Sequence, residues 1–296
     1  GAQSVAMGKD LYDHFPEVKE FYDGLDFPLD IKSHSFTSDL ETITKTSITQ
    51  PVMVAFQLAL TDLFFKEGIY PDAVAGLSIG EYAALYAAGV LSKEDAMKIA
   101  VFRGERMEHY SSQVDTSMVA LMGAEEEDLV KAIEEVGLSD SHFLSNINTK
   151  GQIVLTGKKD SLDTLFSQWG ERVRKIPLQV GGPFHTPYMS PVATELQELF
   201  SKLDFNEPQR KIAMNLTGEY EDQNYQDIMA KQVMETVRFK DVLETLLEDG
   251  VELFVEFGHN KVLAGLLRRL NKEAKVLEVS DYESYEKVKE ELQWKK

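Results

Sequence analysis

The chain contains no cysteine. That absence excludes disulfides, thiolate catalysis and cysteine-ligated zinc together, so any nucleophile must be an oxygen or a nitrogen. Positive charge is scarce too, with 31 Lys and Arg against 50 Asp and Glu and a formal net charge of −19. Nucleic-acid binding needs clustered Lys and Arg to displace counterions, so that class of partner is set aside. Much of the acid lies on helical patterns such as GAEEEDLVKAIEEV and DYESYEKVKEEL, which read as solvated faces. The histidines (His14, His34, His109, His142, His185 and His259) show no H-E-x-x-H or other metal-ligand spacing, and no metal is expected. No run approaches the ~20 apolar residues of a membrane span, and no charged-then-apolar segment opens the chain. These absences point to a cytoplasmic protein with no membrane partner.

What is present is a globular composition, 43% hydrophobic over 296 residues, enough for a sizeable core. Helical and strand patterns alternate, which predicts an α/β fold. QPVMVAFQLALTDLFFKEG reads as a buried helix with Pro51 near its first turn and Gly68 past its end, and SKEDAMKIAVFRGERMEHY as a helix capped by Ser92 with Asp95. From Thr116 to Gln179 the order becomes β-α-β-β-α-β, the ferredoxin-like arrangement. The expected architecture is a large α/β-hydrolase-like domain, residues 1–115 and 180–296, with a parallel sheet that includes KIAMNL, ELFVEF and KVLEVS. A small ferredoxin-like subdomain, residues 116–179, is inserted into it.

The stretch AVAGLSIGEYAAL runs a short strand directly into an Ala-rich helix. Ser78 stands between Gly76 and Gly80 and matches G-x-S-x-G, the turn that exposes a nucleophilic serine at the carboxyl end of a strand. The glycines suit a turn in which strand and helix approach closely. An ordinary capping serine at a glycine-rich junction fits the same five residues. A serine nucleophile needs a base, and His185 in VGGPFHTPYM and His259 in FVEFGHNKVL both follow strands; residue patterns alone leave the two open. Arg103 falls on the apolar stripe of Ala96, Ile99, Ala100, Met107 and Tyr110, so its guanidinium needs an anion. A protein carboxylate and a ligand carboxylate both qualify.

Several motifs in order, GAQSVAMGKDLYDHFPEVKEFYD, TQP, AGLSIGEYAAL, FRGERM, NINTKGQIVLTG, PFHTPYM and EFGHNKVLAGLLRRL, resemble bacterial malonyl-CoA:acyl-carrier-protein transacylases over nearly the whole chain. The resemblance implies that Ser78 carries the acyl group, that His185 rather than His259 is its base, and that Arg103 holds the malonyl carboxylate. It further implies an oxyanion donor in the Ile79 N–H, pocket roles for Gln50 and Asn148, and a steric limit from Phe184. Malonyl-CoA and acyl carrier protein would be the partners of a monomer without a cofactor. Leu77 stands where the family usually has histidine, and Gly1–Gln3 align inside the family's N-terminal Gly-Gln-Gly-x-Gln, so a few residues are expected to precede Gly1. Carrier-protein docking is expected on Arg172, Arg174 and Lys175 and on Lys261, Arg268 and Arg269. A serine esterase or thioesterase, or an inactive carrier-binding module, would share the elbow.

Overall fold

A computed structural model describes residues 3–167, 173–178 and 182–293. Its centre is the helix Thr46–Lys66, apolar on every side, with Val52, Ala55, Phe56, Leu60 and Leu63 buried. By length and composition this helix could cross a membrane, with a mean hydropathy of 1.4, but 78% of its apolar stretch is buried inside the protein. It is a core helix. It begins five residues before Pro51, which therefore sits inside it rather than at its first turn.

The reason lies on another segment. Lys45 supplies no side-chain cap; Glu108 Oε2 instead accepts the Ser47 N–H at 2.9 Å from the helix Lys93–Ser111. The two helices touch at Gly104, where a Cβ would lie 3.0 Å from the Thr46 carbonyl oxygen and 3.1 Å from Ser47 Cα. Any larger residue would push them apart, so this glycine brings the neighbouring Arg103 against Gln50. Ser92 caps the second helix, its Oγ accepting the Asp95 N–H at 3.0 Å.

Eight strands occur among the described residues: β1 Ala73–Ala75, β2 Thr116–Met122, β3 His142–Thr149, β4 Gln152–Lys158, β5 Arg174–Pro177, β6 Lys211–Ala213, β7 Leu253–Phe257 and β8 Lys275–Val279. The expected parallel sheet is found as two parallel pairs, β1 with β6 and β7 with β8. β6 stops after three residues because Met214 turns back, its N–H bonding the Glu219 carbonyl and its own carbonyl accepting from Gly218. The other four strands form an antiparallel sheet in the order β3-β4-β2-β5. This sheet and the helices Glu126–Glu135 and Lys159–Phe166 enclose their own apolar cluster, including Leu121, Leu129, Ile133, Leu155 and Leu165.

One segment stitches the antiparallel sheet to the rest. Thr236 Oγ1 donates to the Leu144 carbonyl at 2.7 Å, the Val237 N–H to Ser145 at 2.9 Å, and the Ile147 N–H back to Val237 at 2.9 Å. Residues 236–237 thus continue the sheet beyond its β3 edge, in parallel.

Candidate active site

Ser78 follows β1 and precedes the helix Gly80–Ala87. Its φ is 53°, the left-handed region that a non-glycine residue rarely occupies and that recurs where a site stores strain. A Cβ on Gly76 would lie 2.1 Å from the Gly80 carbonyl carbon, so no other residue fits there. Gly80 is different: its nearest neighbour would be Gln57 Nε2 at 3.9 Å. Only the first of the two motif glycines is demanded by close approach.

Ser78 Oγ lies 2.7 Å from His185 Nε2. His185 has a φ of 60° and is tied down by its own N–H to the Val233 carbonyl at 3.0 Å. Its Nδ1 lies 2.7 Å from the Gln232 carbonyl, which can only accept, so Nδ1 carries the proton and Nε2 is free to accept the serine hydroxyl. Burial, and then the charge of Arg103, pushes the His185 imidazole down to about 3. A base this hard to protonate is neutral across the physiological range.

Arg103 is only 1% exposed. Its Nη1 donates to Gln50 Oε1 at 2.6 Å, and its Nη2 to Gln232 Oε1 at 2.9 Å and to Ser78 Oγ at 3.1 Å, while Nε is buried without a partner. All three acceptors are neutral, and Arg103 makes no ion pair with a carboxylate among the described residues. Burial lowers its pKa from the ordinary guanidinium value. A fully desolvated cation beside the nucleophile, held by two amides and the serine hydroxyl, is a site prepared for an anionic ligand group.

Three residues of this network were not anticipated. Asn215 Oδ1 accepts the Ser78 N–H at 2.7 Å and its Nδ2 donates to the Gly76 carbonyl at 2.6 Å, bracing both arms of the elbow. Gln232 Nε2 donates to the Ser78 carbonyl at 2.8 Å and to Glu81 Oε2 at 2.5 Å. Glu81, fully buried, accepts the Asn215 N–H at 2.6 Å through its other oxygen, and burial pushes its carboxyl up to about 7. A glutamate opening an Ala-rich buried helix was a readable signal; two amides 137 and 154 residues from the serine left none.

The remaining candidates are less tightly drawn in. Ile79 is adjacent to Ser78 at the helix start, and its N–H has no acceptor among the described residues. Asn148 lies on β3 with a buried, unpartnered Oδ1, and Phe184 packs between the main core and the Met118, Ala120 and Val154 cluster. Neither bonds Ser78, His185 or Arg103. Leu77 packs against the cluster of Val237 and Phe239. His259 stands against Phe56, ring centroids 5.6 Å apart, and makes no contact with the serine. Arg172 lies outside the described residues; Lys261 and Arg268 share Glu278, at 2.8 and 3.6 Å. Beside His185 opens a cleft of about 540 Å³, lined also by His142, Leu144, Leu216, Met234 and Thr236.

Comparison with known proteins bears directly on this site. The acyl transferase domain family model matches residues 1–293. Malonyl CoA-acyl carrier protein transacylase of Bacillus subtilis (strain 168) is 34% identical over 293 residues, 97% of this chain and 92% of that protein. The chain belongs to this acyltransferase family. Within the family, the crystal structure of the Streptococcus pneumoniae enzyme superposes with a TM-score of 0.90 at 32% identity, covering 98% of this chain and 97% of that one. A type II polyketide synthase acyl-carrier protein solved in complex with its malonyl-transacylase gives a TM-score of 0.90 at 27% identity, covering 98% of this chain and 96% of that one. Family membership makes the protein an α/β acyltransferase with parallel sheet elements.

Proposed function

We propose that this protein transfers a malonyl group from malonyl-CoA to the phosphopantetheine thiol of acyl carrier protein, supplying fatty acid synthesis in the cytoplasm. The observation that carries the proposal is the buried guanidinium of Arg103, which pairs with no carboxylate among the described residues and donates to the nucleophile's own oxygen. A malonyl carboxylate seated on it places the thioester carbonyl beside Ser78 Oγ.

His185 Nε2 takes the hydroxyl proton as Oγ attacks that carbonyl. The oxyanion is met by the Ile79 N–H at the helix start, where the partial positive charge of the helix end adds to the hydrogen bond. Collapse of the tetrahedral adduct breaks the C–S bond, and the departing CoA sulfur takes the proton from His185. In the second half the carrier's thiol gives its proton to His185, its sulfur attacks the malonyl-serine ester, and Ser78 Oγ leaves and is reprotonated. The Gln232 carbonyl holds the imidazole in one orientation throughout, in the place a carboxylate occupies in other serine enzymes.

The strand order β3-β4-β2-β5 and the separate apolar cluster support reading residues 116–179 as a ferredoxin-like unit inserted into a hydrolase-like domain of residues 1–115 and 180–296. The test is mass spectrometry after mixing with malonyl-CoA and, separately, acetyl-CoA. A malonyl adduct on the Ser78 peptide, absent in Ser78→Ala, is expected; an adduct elsewhere, or none, ends the reading.

A further inference from the structure

We propose that Glu81 is a positioning residue for Arg103 that acts through Gln232, and thereby sets the preference for a carboxylate-bearing acyl group. The inference rests on the reading of Arg103 as the partner of the malonyl carboxylate. Its basis is the direction of each hydrogen bond. As a carboxylate Glu81 has two acceptor oxygens and no donor, and each meets an N–H: Oε1 the backbone N–H of Asn215 at 2.6 Å and Oε2 the amide Nε2 of Gln232 at 2.5 Å. A carboxylate at that point forces the Gln232 amide to turn its NH2 inward, toward Glu81 and the Ser78 carbonyl. Its oxygen is then left facing Arg103, at 2.9 Å from Nη2. Were the amide reversed, two donors would confront each other at the guanidinium, and Arg103 would be held by Gln50 alone on that side of the serine.

When ionised, Glu81 also bears electrostatically on Arg103 from one amide away, favouring the charged guanidinium. That distance matters. A direct ion pair would compete with an incoming carboxylate, whereas a relayed one stabilises the buried cation and leaves its face to the ligand.

The test is the ratio of acylation rates with malonyl-CoA and acetyl-CoA. Glu81→Gln keeps the shape but presents one oxygen and one NH2 to two donors, so one bond becomes a clash. The malonyl-to-acetyl ratio is expected to fall about ten- to a hundredfold, the size of a lost hydrogen bond to a charged group. Gln232→Met, which removes the relay, is expected to lower the ratio similarly, and Glu81→Gln added to it is expected to lower it no further. Glu81→Asp, with the charge kept but too short for both donors, is expected to fall between wild type and Glu81→Gln. A ratio unchanged in Glu81→Gln and Glu81→Asp, or losses that multiply in the double variant, would overturn the proposal. A wild-type enzyme without malonyl preference would instead overturn the reading of Arg103.

Discussion

Replacing Arg103 with alanine separates substrate choice from chemistry. In the free protein the guanidinium makes three hydrogen bonds to neutral acceptors and leaves Nε unpartnered. A malonyl carboxylate can accept two charge-assisted bonds from it, and losing one partner of such a buried pair costs about 3–5 kcal/mol, or roughly two to four powers of ten in rate. Acetyl-CoA offers no carboxylate and never collects that energy. Arg103→Ala is therefore expected to lose roughly 10²- to 10⁴-fold in malonyl acylation and far less in acetyl acylation. Stability is expected to hold, because stranding the oxygens of Gln50 and Gln232 at about 1–3 kcal/mol each is offset by removal of a desolvated cation. The variant carries a second signature. Arg103 is, after burial, what lowers His185, so without it the imidazole moves up from about 3 toward its ordinary 6.5. The residual acetyl acylation should then fall as pH drops through that window, where the wild-type base is still unprotonated. Stopped-flow acylation with both thioesters across pH measures both effects. Equal losses with the two substrates, or a collapsed Tm, would make Arg103 a purely structural residue and refute the argument.

Three further outcomes are expected. His185→Ala should slow acylation by ~10² or more, and His259→Ala, against Phe56 and away from the serine, should change it little; the opposite ranking in single-turnover assays would reassign the base. Gly76→Ala should be severely destabilising, since its methyl would sit 2.1 Å from backbone, while Gly80→Ala, with nothing nearer than 3.9 Å, should keep a wild-type Tm; similar values for both would mean that the elbow relaxes. Charge reversal at Arg174, Lys175 or Arg269 should raise KM for carrier protein without affecting acylation by malonyl-CoA. Lys261 and Arg268, which share Glu278, should matter less, and equal changes in both half-reactions would argue against docking there.

Features written in local pattern could be read without coordinates. The elbow is five consecutive residues, the β-α-β-β-α-β order needs only alternating periods, and Arg103 announces itself as a charge on an apolar stripe. Features made by distant segments could not. The start of the helix Thr46–Lys66 is capped by Glu108, sixty-one residues from Ser47, and nothing local to Pro51 shows that the helix begins five residues before it. Asn215 and Gln232 are ordinary amides in ordinary surroundings until the fold carries them to Ser78. The choice between His185 and His259 is of the same kind: both follow strands, residue patterns leave them equal, and it takes the family resemblance or the 2.7 Å contact between Ser78 and His185, 107 residues apart, to separate them. Short strands also mislead, because an apolar run of five residues does not say which partner it pairs with, and the parallel sheet divides into two pairs.

The stretch from Gln232 to Val237 has two masters. Its first residues hold His185, the Gln232 carbonyl meeting the imidazole and the Val233 carbonyl accepting the backbone N–H, and four residues after Gln232 the stretch is hydrogen-bonded to the edge of the antiparallel sheet. The antiparallel sheet is consequently not a cassette that can be lifted out by itself. Exchanging it for a relative's would leave Thr236 and Val237 facing a foreign edge, and a register error of one residue there would reach His185 within a single turn of chain. A working graft of the antiparallel sheet must carry 236–237 with it, so a unit joined by hydrogen bonds is discontinuous in the gene.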